Sequence, residues 1–326
     1  MSIKKTHPLI TGTILLTITG LISRVIGFYY RIHLTRLFGE EGMGIYQLLG
    51  PILALSFSLT GTGFQTAISK HVAEYTANHV KSKFIPMLVG LCISLPLSLI
   101  CCTVLYQFSD FIAIKVLLEP RTASMIRILA PSVPFSAVHA CLNGYFYGEK
   151  KAAVPALSQL AEQLTRVGCV YFLTYYLASR HLSPSINIAV WGLTIGEFVS
   201  MLVAMAAIRC SNLFSTGTGI LSTCASLMKM VLPLTANRII LNLLQSVESV
   251  SIPARLALYG YTHSQALSVY GVLTGMAMPL IFFPNALTSS MAVLLLPLIS
   301  ENYAIGALDV VKASILRTLK YCSLMG

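Results

Sequence analysis

Long apolar runs recur along the chain, separated by short polar connectors. A membrane-spanning helix needs about 20 predominantly apolar residues. That ruler predicts helices near Leu9–Tyr30, Gly44–Phe64 (extending toward Tyr75), Phe84–Gln107, Thr122–Phe146, Val154–Leu177, Ile186–Ile208, Leu227–Ile252 and Ala266–Ile299. The polar connector RCSNLFSTGTG, residues 209–219, separates the sixth run from the seventh. Pro279, Pro284 and Pro297 interrupt the eighth, and KASILRTLKYCSLMG at the C-terminus opens a ninth. The pattern is that of an all-α polytopic membrane protein. Lys4 and Lys5 precede the first run as they would in a signal peptide, but no small-residue cleavage site follows, so the run reads as a retained helix. Pro96, Pro131 and Pro134 fall inside spans, where proline bends a helix and frees a carbonyl. The pairs Gly192/Gly196 and Gly271/Gly275 have the small-xxx-small spacing of helix packing contacts.

Against this background the polar residues inside the runs carry the information. Arg24 lies deep in the first run, where a charge costs roughly 2.5–3.5 kcal/mol. Arg31 lies about two turns further on and shares its face, while Arg36 is placed to snorkel to the headgroups. Arg24 is too deep to snorkel and is expected in an aqueous cavity. In the fifth run Glu162 and Arg166 stand four apart and can pair, either as a structural ion pair or on a cavity wall. In the seventh, Arg238, Asn242, Gln245 and Ser249 trace one stripe with Glu248 at its edge. Such a stripe must face protein or water. It makes either a dry interhelical network or one wall of a wet cavity, and the second is preferred because charges on several helices want one shared wet space. Glu197 in the sixth run is a lone carboxylate, for which packing serves as well as function.

Composition then fixes the solvent. The chain has 326 residues, 56% hydrophobic and 10% charged, with a mean hydropathy of +0.77. Soluble domains carry about 25% charged residues, so this chain needs a bilayer. The net charge of +11 comes with no basic block interleaved with aromatics, and a nucleic-acid partner is not expected. The positive charge instead follows topology. Lys4, Lys5, Lys70, Lys81, Lys83, Lys150, Lys151, Arg209, Lys312, Arg317 and Lys320 gather on one side, against Arg31, Arg36, Lys115, Arg121, Arg180 and Arg255 on the other. The positive-inside rule then makes the N-terminus cytoplasmic. The eight cysteines have no metal-type spacing and read as small reduced hydrophobes, so no metal site is expected. Walker, zincin, CxxC and nucleophile-elbow signatures are absent, so neither an enzyme nor a cofactor is expected. Any pumping would draw on an ion gradient, the membrane potential or the substrate's own gradient.

Three stretches carry a resemblance: SRVIGFYYRIHLTRLFGEEGMGIYQLLGPI, AISKHVAEY, and ESVSIPARLALYGYTHSQALSVYGVLTGMAMPLIFFPNALTSSMAVLLLPLISE. They are similar to the polysaccharide-flippase branch of the multidrug/oligosaccharidyl-lipid/polysaccharide (MOP) exporter superfamily. The resemblance implies a two-lobe transporter of about fourteen helices working by alternating access. Residues 1–210 then form the first lobe, helices 1–6, and residues 211–326 begin the second with helices 7, 8 and the start of 9, so the chain reads as truncated after about eight helices. The first stretch is also similar to the lipid II flippases, in which arginines of the first helices face a cationic cavity. Arg24 matches the SRVxGF arginine, and Arg31 falls one position later than its counterpart. No arginine stands near Phe283-Pro284, where those flippases have one, and Glu248 stands where the sporulation branch has an acid.

The implied function is export of a lipid-linked oligosaccharide, a lipid II-like peptidoglycan precursor, in spore cortex or cell-wall synthesis at the bacterial plasma membrane. The substrate cavity would comprise Arg24, Arg31, Glu162, Arg166, Arg238, Asn242, Gln245 and Glu248. The implied partners are a lipid-linked diphosphate sugar, the bilayer and cell-wall enzymes. Two other readings stay open. One is a cation-coupled multidrug exporter, which would favour carboxylates in the cavity. The other is a non-transporting membrane scaffold for cell-wall enzymes, or an inactive fragment.

Overall fold

The computed structural model describes residues 8–77, 83–208, 220–282 and 308–325. Helix α1 (Pro8–Phe57) contains the first expected span and most of the second, joined across a kink at Gly39 (φ 71°, ψ 179°). A side chain resists that positive φ, and glycine supplies it without strain. The first span therefore runs on past Tyr30 and carries Arg31 within a helix. A π-turn over Ser58–Thr62 leads into α2 (Gly63–Ala77).

Next come α3 (Ile85–Gln107), α4 (Thr122–Leu129) and α5 (Ser132–Gly148). The sequence reads α4 and α5 as one span. The structure divides them at Pro131, which has no N–H to continue the ladder. Helices α6 (Ala153–Ser179) and α7 (Asn187–Ala206) follow. Helix α8 (Ile220–Leu258) is longer than expected at both ends and accommodates Pro233 and Pro253. Helix α9 (His263–Gly271) begins with a capping box from Thr262 and Gln265, and passes through a π-turn, Val272–Ala277, into α10 (Met278–Ile281). Helix α11 (Leu308–Met325) is the opening of the expected ninth span. Pro284 and Pro297 lie outside the described residues.

Among the described residues six helical runs are long and apolar enough to cross a membrane, the first of them Leu15–Thr76 with its kink. Ala153–Ser179 is not among them, because Ser158, Gln159, Glu162, Gln163 and Arg166 lower its hydropathy. Many large apolar side chains point outward, such as Leu99, Ile100, Phe172 and Leu244. In water that surface would aggregate, whereas a bilayer solvates it.

The smallest of three apolar cores among the described residues joins Tyr30, Leu34 and Met43 of α1 to Val170 of α6 and Ile188 and Ala189 of α7, and two larger ones hold the rest of the bundle. One joins Phe64, Ile68 and Val72 of α2 to Met87 of α3, Phe146 of α5 and Leu227 of α8. The other joins Leu48 and Leu49 of α1 to Met125 and Leu129 of α4, Leu193 of α7 and Leu267 of α9. Close backbone approach fixes the α1–α9 contact. A Cβ on Gly271 would collide with the Glu40 carbonyl and the Gly44 backbone, and one on Gly44 with the Leu267 carbonyl. Gly271→Leu is therefore expected to part α9 from α1. Cysteines placed at Glu41 and Ser264, whose side chains hydrogen-bond at 2.6 Å, should crosslink in a cysteine-free parent and fail to do so when Gly271→Leu is added. Undiminished crosslinking would count against the contact.

Candidate functional site

Polar side chains of α5, α6 and α7 converge on a cavity of ≈ 260 Å³. Its walls include Gln65, Ser136, Asn143, Gln159, Glu162 and Glu197. Helical spacing prepares each wall. His139 and Asn143 stand one turn apart on α5, with Asn143 Nδ2 2.9 Å from His139 Nε2. Glu162 and Arg166 stand one turn apart on α6 and pair at 2.5 Å, with side chains only 14% and 18% exposed. The small residues of α7 let it press against that pair. A Cβ on Gly196 would lie 3.0 Å from the Glu162 carbonyl, and one on Gly192 2.9 Å from the Arg166 carbonyl. Glu197, next to Gly196, is thereby brought to Glu162 and His139, and one ligand atom from each of the three lies within 4.8 Å of the others.

The imidazole is held from both sides. Ser158 Oγ lies 2.9 Å from His139 Nε2 and Ser200 Oγ 3.3 Å from Nδ1. Arg166 faces Glu162, Glu197, Tyr30 and Tyr46, and the half-buried Arg31 faces Tyr46 and Arg166. Four helical segments thus contribute charged or polar side chains to one region, and Arg31, Glu162 and Arg166 of the sequence-derived site belong to it. His139, Asn143 and Glu197 were not on that list. The signal for the first two was present as a polar pair one turn apart inside an apolar helix.

The α8 stripe divides in two. Asn242 donates to the Ala54 carbonyl at 2.9 Å and to Ser58 Oγ at 2.7 Å, beside the first π-turn. From the other side Ser94 of α3 donates to the Thr60 carbonyl. Ser249 is buried and donates to the Gln245 carbonyl. Arg238, Gln245 and Glu248 are exposed, as is Arg24 on α1. A second cavity, ≈ 720 Å³, lies between α1, α3 and α8 and is largely apolar, with Pro51, Leu55, Val104, Leu243 and Val247 on its wall beside Lys115. Neither cavity has Arg24, Arg238, Asn242, Gln245 or Glu248 on its wall.

At one end of the bundle, ion pairs tie α9 to the earlier helices. Glu119, in the turn before α4, is 2% exposed, bonds Arg121 Nε at 2.7 Å and approaches His263 Nε2 at 2.9 Å. Arg121 continues to Glu41 at 2.7 Å, and Glu41 accepts from Ser264 at 2.6 Å. Burial pushes the Glu119 carboxyl up, yet the bonds from Arg121 and His263 outweigh it and hold the group down to about 2. A depressed carboxylate contributes stability above its unfolded value and loses it as pH falls through its folded value. Glu119→Gln should therefore lower unfolding free energy at neutral pH by roughly 2–3 kcal/mol. The gap between variant and parent should close as pH falls from 4.5 toward about 2. Denaturant titration in detergent checks it, and a gap that ignores pH would refute it. The other end has Lys83 and Lys151 on Glu149, at 3.5 and 2.5 Å.

Residues 9–303 match the family described as polysaccharide biosynthesis protein. The chain belongs to that family. It is 32% identical over 324 residues to stage V sporulation protein B of Bacillus subtilis (strain 168), covering 97% of this chain and 62% of that protein. With the lipid II flippase MurJ of the same organism it shares 24% identity over 207 residues, 60% of this chain and 38% of that one. The chain thus spans less than two thirds of the length of these relatives. Its fold matches that of a multidrug resistance MATE family transporter of the MOP superfamily in the inward-facing conformation. The TM-score is 0.64 at 14% identity, over 100% of this chain and 69% of the other. Among the described residues all regular structure is helical, with several helices apolar enough to cross a membrane, and the fold is that of the MOP superfamily structures.

Proposed function

We propose that the protein carries a lipid-linked diphosphate sugar across the bacterial plasma membrane by alternating access. The observation that carries this reading is Arg24 and Arg31 on one face of an apolar membrane helix. Guanidinium forks bind phosphate oxygens bidentately, and a diphosphate is the matching counter-charge. The sugar head would cross between the lobes while the lipid tail stays among acyl chains. Arg238 and Glu248, exposed on α8, would meet the head from the second lobe, with Asn242 and Gln245 on the same helix. The names of two relatives, stage V sporulation protein B and lipid II flippase MurJ, favour a lipid II-like substrate, and a role in spore cortex formation with cell-wall enzymes as partners is part of the same proposal. Coupling would be to an ion gradient or the membrane potential.

A headgroup-accessibility assay on full-length protein in vesicles, with labelled lipid-linked diphosphate sugar, tests the reading. Protein-dependent exposure of the head supports it. Failure to move it, together with movement of amphiphilic cations, would favour the multidrug reading that Glu162 and Glu197 otherwise suggest. Movement of neither would favour a scaffold. The proposed orientation puts the N-terminus in the cytoplasm. In intact cells an impermeant thiol reagent should label a cysteine at Arg180 and not one at Lys150, and the reverse pattern would invert the topology.

A further inference from the structure

The larger cavity, ≈ 720 Å³, stands apart from the residues of the substrate reading and suits an apolar guest. Clefts of about 300–1,000 Å³ are of the size that holds small organic ligands. Leu55 of α1, Val104 of α3, and Leu243 and Val247 of α8 form three of its sides. Of the four serines on the wall, Ser56, Ser246 and Ser249 donate to carbonyls one turn back on their own helices, at 2.7–2.9 Å. Their hydroxyls are thus turned to the backbone, and an apolar wall of this kind stays dry. Along α8 the wall runs from Leu243 to Ser251, about 12 Å at 1.5 Å per residue. That is under half of a hydrocarbon core of about 30 Å, so the cavity is a slot within one leaflet.

A second observation points to the occupant. Among the described residues the charge on that wall comes from Lys115 alone, in the π-turn Ile112–Val116 that follows α3. Lys115 is exposed and makes no ion pair or hydrogen bond with a described residue. The charges near it are already matched, Asp110 with Arg127 and Glu119 with Arg121 and His263. Phe108, Phe111, Ile114 and Leu118 around it are exposed, so this segment turns apolar side chains outward at the end of the bundle where Glu119 meets His263. A lysine whose stem lies on an apolar wall keeps its ammonium at headgroup level. A dry slot with an unmatched ammonium at its rim is complementary to an acyl chain that carries an anion at its head. The tail of the proposed substrate fits less well, because Arg24 and Arg31, which would take its diphosphate, are not on this wall.

We propose that this slot binds an anionic glycerophospholipid of the surrounding leaflet, with one acyl chain between α1, α3 and α8 and its phosphate at Lys115. Under the proposed orientation the leaflet is the outer one. The seated chain sets how closely α8 approaches α1 and α3, so the composition of the bilayer acts on the helix that carries Arg238 and Glu248. The inference does not rest on the substrate reading, since binding is measured without transport.

The test is photolabelling of full-length protein in phosphatidylcholine vesicles. One set contains a small fraction of phosphatidylglycerol with a diazirine near the end of one acyl chain, and a matched set has the diazirine on phosphatidylcholine. Mapped by mass spectrometry, the phosphatidylglycerol label is expected on the slot wall, around Leu55, Val104 and Val247. It should exceed the phosphatidylcholine label there by roughly fivefold, the effect of one lysine beside an anionic headgroup. Lys115→Gln should bring the two labels level, and Lys115→Arg should keep the difference. Val247→Trp fills the slot from a side chain already exposed on α8. It should remove wall labelling by both lipids while labelling at the exposed Phe172 of α6 persists. Equal labelling of the parent's wall by the two lipids, a preference kept by Lys115→Gln, or wall labelling undiminished in Val247→Trp would each overturn the proposal. Stronger displacement of the label by oleate or by an isoprenoid phosphate than by unlabelled phosphatidylglycerol would give the slot another occupant and overturn it too. If Val247→Trp does not fold, Val104→Trp on the facing wall decides by the same readings.

Discussion

Arg166→Ala is expected to lower the unfolding free energy by on the order of 3–5 kcal/mol, the cost of leaving one member of a buried ion pair alone. Glu162 would then sit 14% exposed beside Glu197 without its bonded guanidinium. Two carboxylates crowded in a poorly solvated space repel, and burial penalises each charge. The double variant Glu162→Leu/Arg166→Met should recover most of the loss, because apolar residues of similar volume often replace a buried pair without penalty. That recovery separates pairing from shape. Denaturant or thermal unfolding of detergent-solubilised protein, with all three proteins at equal concentration, provides the measurement. An alanine variant as stable as the parent would mean that α6 tolerates a bare carboxylate and that the pair does not hold α6 to α7.

Arg24→Ala should have the largest effect on transport. Losing a bidentate contact to phosphate is worth on the order of 100-fold in rate or affinity. Membrane insertion should not suffer, since the substitution removes a charge that costs roughly 2.5–3.5 kcal/mol at mid-bilayer. Arg24→Lys should recover part of the activity, keeping the charge without the fork. Equal transport by the alanine variant at matched protein level would remove Arg24 from the site. The same assay on Arg238→Ala asks whether the exposed residues of α8 serve the substrate or only meet solvent and headgroups.

How much was legible varies by element. The third and sixth spans were placed within a few residues, because a run of apolar side chains long enough to cross a bilayer has few other uses, and the helix of the fifth was placed as closely although its polar residues keep it out of the apolar runs. The kink at Gly39 was not placed, and Pro131 was read as bending the fourth span, where the structure breaks the helix. Glycine and proline permit such features without requiring them, and tertiary packing chooses where the chain uses the freedom. The Gly192/Gly196 spacing announced a close helix contact, and the structure identifies the neighbour as the α6 turn that carries Glu162 and Arg166.

The candidate site shows the same division. Glu162 with Arg166 was readable because both lie on one helix, four residues apart, where helical geometry alone makes them neighbours. Glu197 read as a lone carboxylate because Glu162 and His139 are distant in sequence, and Glu119 went unnoticed because, beside its local bond to Arg121, the partner that makes it a latch is the distant His263. Periodicity reports which residues share a face of one helix, and carries no information on which helix that face will meet. The sequence by itself therefore determined the solvent, the spans and the presence of charges that must avoid lipid. Only the tertiary structure decided that those of α5, α6 and α7 share one cavity, that Asn242 anchors α8 to the π-turn, and that Glu119 latches α9 to the first helices. Membrane burial forces each polar group to find a partner, but the choice among partners is made by how the helices cross.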